Sequence, residues 1–208
     1  MILYYLVSIP MDIEIRYGDK GLKKIHLIRH GQAEHNLGQP GWENILDPHL
    51  TSTGIQQATD LSKTMDNQHE IDVILVSPLS RTLQTAQTIF GQLDRPFLAT
   101  DLCRESISLK KCDSRNPISE KKQQYSKINF SLVETNEDEE VKRRRETESE
   151  EELAERASQF LHFIQQRSEQ NIAVVTHHGF LRKFFSLMKE LPDSNANNYE
   201  VTLVSSFR

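Results

Sequence analysis

Three short hydrophobic segments of this chain each run into side chains that can bind or attack a phosphoryl group. The segments are residues 25–28, 71–76 and 172–175. Just beyond their ends lie Arg29 and His30, then Arg81, and then His177. A phosphomonoester carries close to two negative charges, and transfer of its phosphoryl group needs fixed positive charge around the equatorial oxygens. Two arginines and two histidines in one crevice would supply that environment.

The residue types at these positions suit different parts of phosphoryl transfer. Arginine donates to two oxygens at once and stays charged at any working pH, so Arg29 and Arg81 are candidate phosphate ligands. A neutral imidazole can attack phosphorus when an acceptor holds its other nitrogen, and His30 lies where that attack would start. Gly31 is expected to leave room for the backbone to approach the ligand.

The segments can meet only if they are neighbouring strands of one sheet. Their carboxyl ends would then share an edge of the sheet, where open α/β folds bind ligands. Along the chain, such hydrophobic segments alternate with stretches of helical periodicity. This alternation predicts an α/β fold, with a mostly parallel central sheet covered on both faces in a three-layer α/β/α sandwich.

Capping residues predict where several helices begin. Thr51 or Ser52 precedes apolar residues at spacings of three and four, which indicates a helix start. Ser77 is a good N-cap, and Pro78 would occupy the first helical position, where its missing N–H is not needed. This prediction places Arg81 on the first turn of a helix, beside the strand end.

Composition limits the partners and the compartment. The net charge is −5, which argues against binding to nucleic acid or to an anionic membrane. No apolar run approaches the roughly 20 residues that cross a bilayer. Cys103 and Cys112 lack the spacing of metal ligands, and two thiols in 208 residues favour a reducing, cytoplasmic compartment.

Residues 1–23 are predicted to be an N-terminal extension. The opening apolar run follows no Lys or Arg and has no small-residue cleavage site, so we expect a strand or a mobile terminus rather than a signal peptide. Residues 12–29 alternate polar and apolar side chains around a Gly-rich turn, which favours a hairpin entering the sheet. A frayed extension is the alternative interpretation.

The segment 101–148 interrupts the alternation with blocks of like charge, from basic to acidic and back to basic. Such blocks are usually solvated or loosely ordered, so we expect a lid-like excursion from the core. Ser149 and Glu152 then form a capping box, which predicts that a core helix begins there. Tyr199 to Phe207 is expected to return to the sheet as a final strand.

Four segments in order resemble the histidine phosphatase superfamily, the phosphoglycerate-mutase-like proteins. They are residues 27–36, reading LIRHGQAEHN; residues 50–58, reading LTSTGIQQA; residues 77–86, reading SPLSRTLQTA; and residues 175–179, reading VTHHG. The resemblance runs from about Lys24 to the C-terminus, which implies one domain, 24–208, with a phosphoglycerate-mutase-like fold. Residues 112–120 are similar to a subgroup of that family in plants and fungi.

The resemblance implies a role for each matching residue. His30 would be the histidine that becomes phosphorylated, Arg29 and Arg81 would clamp the phosphate, and His177 would donate to it. Asn36 would make a further phosphate contact. The family implies no metal and no organic cofactor, and its substrate would be a small phosphorylated molecule bound by a monomer or a homodimer.

The family also uses a carboxylic acid to protonate the leaving oxygen, and Glu105 matches it. Glu105 would act as general acid first and then as base for the water that cleaves the phosphohistidine. A surface glutamate paired with Arg104 is the alternative interpretation. Lys110, Lys111 and Arg115 follow, and they would either receive a second anionic group of the substrate or remain solvated.

We expect a metal-independent phosphatase that hydrolyses phosphomonoesters, and three alternatives remain. A phosphoglycerate mutase would use the same phosphohistidine but return the phosphoryl group to a rotated product while water is excluded. A non-catalytic module would keep the pocket to bind a phospho-ligand or a protein. Metal-dependent hydrolysis would recruit imidazoles from His30, His35, His177 and His178, although nearby arginines would repel a cation.

Overall fold

A computed structural model describes residues 23–144, 146–190 and 199–205 of the chain. Within these ranges the sheet has six strands, and every pairing between them is parallel. The strands are β1 (Lys23–Arg29), β2 (Val73–Val76), β3 (Phe97–Ala99), β4 (Ile128–Asn129), β5 (Asn171–Thr176) and β6 (Tyr199–Ser205). The described helices are α1 (Ser52–Thr64), α2 (Ser80–Phe90), α3 (Ile118–Gln124), α4 (Glu139–Arg143), α5 (Glu150–Gln165) and α6 (His178–Glu190).

Helices cover both faces of the sheet, as the alternating pattern predicts. Successive strand residues point to opposite faces, so Ile25 and Leu27 of β1 pack on one face and Ile28 on the other. The first face packs against buried side chains of α5 and α6. The second packs against α1, α2 and α3. The fold is therefore the expected three-layer α/β/α sandwich.

The strand order is β4-β3-β2-β5-β1-β6, so β5 lies between β2 and β1. Val175 of β5 pairs with Ile28 on one side and with Val76 on the other. The three segments that end in phosphate-competent residues are thus adjacent and parallel. Their carboxyl ends share one edge of the sheet, as expected.

Two predicted helix starts are confirmed. The Thr51 hydroxyl caps α1 by accepting the Gly54 N–H at 3.1 Å. Ser149 and Glu152 form the reciprocal capping box of α5. Each cap satisfies backbone donors that a helix leaves unpaired at its first turn.

The predicted start of α2 is wrong. The helix begins at Ser80, and Leu79 occupies the N-cap position without a side-chain cap. The Ser77 hydroxyl instead lies 2.8 Å from a ring nitrogen of His177. The carboxylate of Asp47, from a distant loop, accepts the Ser80 N–H at 2.7 Å. A long-range contact has therefore replaced the local cap.

The segment 101–148 is more firmly packed than its charge blocks suggest. It supplies α3, β4 and α4, and β4 extends the sheet beside β3. Buried charges hold it, since Arg104 forms a two-pronged pair with Asp138 at 3.0 and 2.8 Å. The expectation of a solvated or loosely ordered segment fails for these side chains because each charge has a buried partner.

The predicted final strand is present over Tyr199–Ser205. Of the predicted hairpin over 12–29, only β1 from Lys23 onward is described, and the remainder lies outside the described residues, as does the extension before it. Among the described helices, none is long and apolar enough to cross a membrane.

Candidate functional site

His30 follows β1 directly and is almost fully buried, with 2% of its surface exposed. Its ring Nδ1 lies 2.7 Å from the carbonyl oxygen of Gly31. A carbonyl only accepts hydrogen bonds, so the neutral ring carries its hydrogen on Nδ1 and its lone pair on Nε2. The acceptor that the sequence argument requires is therefore the backbone of the next residue.

Burial and positive charge keep this ring neutral. Burial is the largest cause that lowers the pKa of His30 well below its ordinary value, and Arg81 and then Arg29 lower it further. Because both arginines act on this imidazole, the structure brings together the two cations that the sequence places far apart. An uncharged imidazole beside two guanidinium groups suits attack on a bound dianion.

His177 follows β5 and faces His30, with ring centroids 5.1 Å apart. Its Nε2 lies 2.8 Å from the Ser77 hydroxyl at the end of β2. Its Nδ1 is buried and has no hydrogen-bond partner within the described ranges. If the Ser77 hydroxyl donates to Nε2, the neutral ring carries its hydrogen on Nδ1, which is then a donor available to a ligand.

Arg81 lies on the first turn of α2 and is 1% exposed. Its Nη1 donates to the Cys112 carbonyl at 2.7 Å, and its Nη2 lies 3.6 Å from a carboxylate oxygen of Asp113. Arg29 ends β1, and burial lowers its pKa most, while Glu105 raises it and Arg81 lowers it. The positive charge of Arg81 thus acts on Arg29 at this edge of the sheet.

The side chain of Glu105, which lies in the inserted segment, contacts the first turn of α6. Its carboxyl group accepts backbone N–H groups from Gly179 at 3.3 Å, Phe180 at 3.2 Å and Ser106 at 2.9 Å. These donors, two of them from a helix N-terminus, fix the position of the carboxyl group. It is not the surface glutamate of the alternative interpretation, because Arg104 pairs with Asp138 instead.

Asn36 lies on a turn beyond His30 and makes local contacts. Its side-chain oxygen accepts the Ala33 N–H at 2.9 Å, and its amide nitrogen lies 3.1 Å from His35 Nε2. His35 in turn has its ring centroid 5.7 Å from that of His30 and 6.4 Å from that of Trp42. Asn36 therefore reaches the site through His35, and its predicted contact with phosphate stays a prediction.

Comparison of the whole sequence with known families gives a match. A sequence model of the histidine phosphatase superfamily, branch 1, matches residues 25–207. The chain belongs to this superfamily. The matched range confirms the resemblance and its extent, since the motifs predicted it from about Lys24 onward.

Individual relatives agree with the family match. A phosphoglycerate mutase-like protein of Arabidopsis thaliana is 33% identical, over 79% of this chain and 74% of that protein. Among solved structures, the alpha-ribazole phosphatase from Shigella flexneri has a TM-score of 0.56 at 21% identity, over 86% of each chain. The ecdysone phosphate phosphatase from Bombix mori has a TM-score of 0.58 at 17% identity, over 81% of this chain and 78% of that one. These two structures share the fold.

The structure gives a further reason for glycine at position 31. A Cβ atom there would lie 2.6 Å from the Gly54 carbonyl oxygen. The Gly31 N–H donates to the Thr85 hydroxyl at 3.1 Å. The close approach that the structure shows is between two backbone segments, one after β1 and one in the first turn of α1. The predicted approach of a ligand to Gly31 stays a prediction.

The basic residues of the inserted segment separate into two groups. Lys110 and Lys111 are exposed, and the Lys110 ammonium lies 4.9 Å from the centroid of the Trp42 ring. Arg115 is buried and donates to the carbonyls of Thr135 and Asn136 at 2.9 and 2.8 Å. Arg115 is therefore bound to the protein's own backbone, and both interpretations, a second anion site and a solvated surface, are wrong for it.

Sequence reasoning missed Asp47 and Lys121. They form a buried ion pair behind the first turn of α2, next to Arg81. The only signal is that Asp47 ends an aperiodic loop before the predicted helix cap at Thr51, which says nothing about its partner. Within the described ranges, no group of three or more His, Cys, Asp or Glu side chains is placed to hold a metal ion.

Proposed function

We propose that this protein hydrolyses small phosphomonoesters without a metal ion, through a phosphohistidine on His30. The observation that carries the proposal is the contact of His30 Nδ1 with the Gly31 carbonyl. It leaves the lone pair on Nε2, and Arg81 and Arg29 both depress the pKa of the same ring. Membership of the superfamily supports the same chemistry.

In the first half of the reaction, Nε2 of His30 forms a bond to phosphorus while the bond from phosphorus to the ester oxygen breaks. Arg29, Arg81 and the Nδ1–H of His177 stabilise the negative charge on the three equatorial oxygens. The protonated carboxyl group of Glu105 gives its proton to the departing oxygen, so that an alcohol leaves rather than an alkoxide.

In the second half, water attacks the phosphohistidine. The Glu105 carboxylate accepts a proton from that water as the new bond to phosphorus forms. The bond from phosphorus to Nε2 breaks, and its electron pair returns to the imidazole. Inorganic phosphate leaves, and both His30 and Glu105 regain their starting protonation states.

A panel of phosphomonoesters tests this proposal when phosphate release is followed in the presence of a chelator. We expect turnover of at least one small phosphomonoester, unchanged by the chelator, and none with His30→Ala. A matched control is His69→Ala, which removes an exposed imidazole far from the sheet edge. Loss of activity with the chelator would contradict the metal-independent mechanism.

The same panel separates the proposal from its alternatives. Isomerisation of a phosphoglycerate that is faster than phosphate release would assign a mutase. A folded protein that binds phosphate but turns over no member of the panel would assign a binding module. Phosphate release as the main outcome supports the phosphatase.

A further inference from the structure

The guanidinium group of Arg81, which the proposed function assigns to phosphate, lies near a carboxylate of the same chain. Nη2 of Arg81 lies 3.6 Å from Oδ1 of Asp113, and Nη1 donates to the carbonyl of the preceding residue, Cys112. A guanidinium fork recognises carboxylate and phosphate with the same geometry. Asp113 therefore lies where it competes with the phosphate for Arg81.

This contact is an ion pair rather than a hydrogen bond. Hydrogen bonds between nitrogen and oxygen need about 3.2 Å or less, so the 3.6 Å separation leaves the Arg81 donor incompletely satisfied. Nε of Arg81 is also buried without a hydrogen-bond partner within the described part of the chain. The pair can consequently give way to a ligand that binds the guanidinium more closely.

Several groups face the Asp113 carboxyl from the elements around it. Ser108 donates to Oδ2 at 2.5 Å, Arg81 approaches Oδ1 from α2, and the charges of Glu105 and Lys110 act on it from the same segment. Arg104 also faces Asp113, since its Nη2 donates to the Asp113 carbonyl at 2.6 Å and the Asp113 charge raises the pKa of Arg104. Burial is the largest cause of a raised pKa for Asp113, and Glu105 raises it further. Ser108, Arg81 and Lys110 oppose the shift.

We propose that Asp113 is a positioning residue that holds the Arg81 guanidinium when no ligand is bound and takes up a proton when a phosphate dianion binds to Arg81. The proposal rests on the proposed function, because it assigns the dianion to Arg81. A bound dianion removes Arg81 as the counter-charge of Asp113 and places two negative charges near the carboxylate. A proton from solvent then neutralises the carboxyl group.

Proton uptake on binding makes the affinity for the dianion change with pH in a definite direction. When the complex holds more protons than the free partners, affinity falls as pH rises, by up to about tenfold per pH unit for one proton. His30 and His177 also approach the bound dianion and contribute uptake of their own. The contribution of Asp113 is therefore measured as a difference between the wild type and a variant that keeps both histidines.

Calorimetric titration with inorganic sulfate measures this difference, because sulfate remains a tetrahedral dianion from about pH 5 to about pH 8. The binding heat at one pH in buffers of different ionisation enthalpy gives the number of protons taken up. We compare the wild type with Asp113→Asn and with Asp60→Asn, an exposed acid-to-amide control on α1.

We expect Asp113→Asn to take up fewer protons than the wild type, by up to about one. It should bind sulfate several-fold more tightly near pH 8, and the two affinities should converge as pH falls. Asp60→Asn should match the wild type. Equal uptake and equal pH dependence in the wild type and in Asp113→Asn would overturn the proposal while leaving the proposed function intact.

A second variant covers the case in which Asp113→Asn does not fold. Ser108→Ala removes a hydrogen bond to the ionised carboxylate, so uptake should occur at higher pH than in the wild type. An unshifted uptake profile in Ser108→Ala would overturn the proposal. A folded wild type that binds no sulfate at any pH would overturn both the proposal and the anion pocket of the proposed function.

Discussion

Asp47 and Lys121 form an ion pair in the protein interior, with a carboxylate oxygen and the ammonium nitrogen 2.5 Å apart. The two side chains are 0% and 1% exposed. The same carboxylate accepts the N–H groups of Ser80 and Asn116, and Lys121 also donates to the Ser80 hydroxyl. One buried pair thus joins the loop before α1, the start of α2 and the inserted segment behind Arg81.

The first prediction concerns this pair. Asp47→Asn leaves the Lys121 ammonium buried without its counter-charge, so the free energy of unfolding should fall by about 3–5 kcal/mol. Urea unfolding measures the change. The double variant Asp47→Asn with Lys121→Met should recover much of the loss, because no unpaired charge remains. Arg182→Ala, which breaks an exposed ion pair on α6, is the control and should change stability little.

The second prediction concerns Gly179, where a Cβ atom would lie 2.4 Å from a carboxyl oxygen of Glu105. Gly179→Ala should displace that carboxyl group and lower kcat by about a hundredfold, the lower end of what general acid catalysis typically contributes. The loss should be smaller for an aryl phosphate, whose leaving group needs less protonation, than for an alkyl phosphate. Equal losses on both would contradict the role of Glu105.

Gly38→Ala is the matched control for Gly179→Ala. Apart from position 38 and its two chain neighbours, no atom of the described residues lies within 4 Å of the added methyl group, although φ there is +66°. A left-handed φ costs a non-glycine residue about 1–2 kcal/mol. We therefore expect a modest loss of stability with kcat unchanged.

The third prediction is the dependence of stability on pH. Burial lowers the pKa values of His30 and His177 well below their ordinary value, and lowers that of His35 to about 3. In the unfolded chain these imidazoles gain a proton near pH 6.5, and in the folded chain they do so only at lower pH. The free energy of unfolding contributed by these groups is thus present above about pH 6.5 and is lost as pH falls.

Denaturation midpoints between about pH 7 and pH 5 test this dependence. His35→Asn removes one of the three groups and should make the fall in unfolding free energy shallower, by up to about 1.4 kcal/mol per pH unit. The same slope in His35→Asn and the wild type would show that His35 does not take part.

The fourth prediction concerns Arg81. Arg81→Lys keeps the charge but loses the planar fork, so kcat/KM should fall by about a hundredfold to a thousandfold, as for loss of one charge-stabilising donor. Arg95→Lys is the control, since Arg95 is exposed. A kcat/KM for Arg81→Lys within a few-fold of the wild type would contradict a clamp at this position.

Much of the fold and the central residues of the site follow from local sequence patterns. The hydrophobic segments define β1, β2 and β5, and the convergence of His30, Arg81 and His177 follows once those strands are adjacent. The caps at Thr51 and Ser149 are confirmed because each side chain bonds to backbone within its own turn. Such interactions are encoded within a few residues.

Contacts between distant segments could not be predicted in this way. Serine commonly caps helices, but the Ser77 hydroxyl contacts His177. The Asp47 carboxylate instead accepts the Ser80 N–H at the start of α2. The partners of Arg115 are backbone carbonyls, which every residue carries and no motif reveals. Charge blocks indicate solvation on average, so a buried ion pair such as Lys121 with Asp47 is visible only in three dimensions.

The most direct test of the account is the detection of phosphate covalently bound to the protein. Wild-type protein is mixed with a substrate identified from the panel, denatured within the first turnover, and examined by mass spectrometry of its peptides. We expect one phosphoryl group, labile in acid and stable in base, on the peptide that contains His30, and none in His30→Ala. Turnover with no phosphorylated peptide at the earliest times, or a phosphoryl group on another residue, would contradict the central claim.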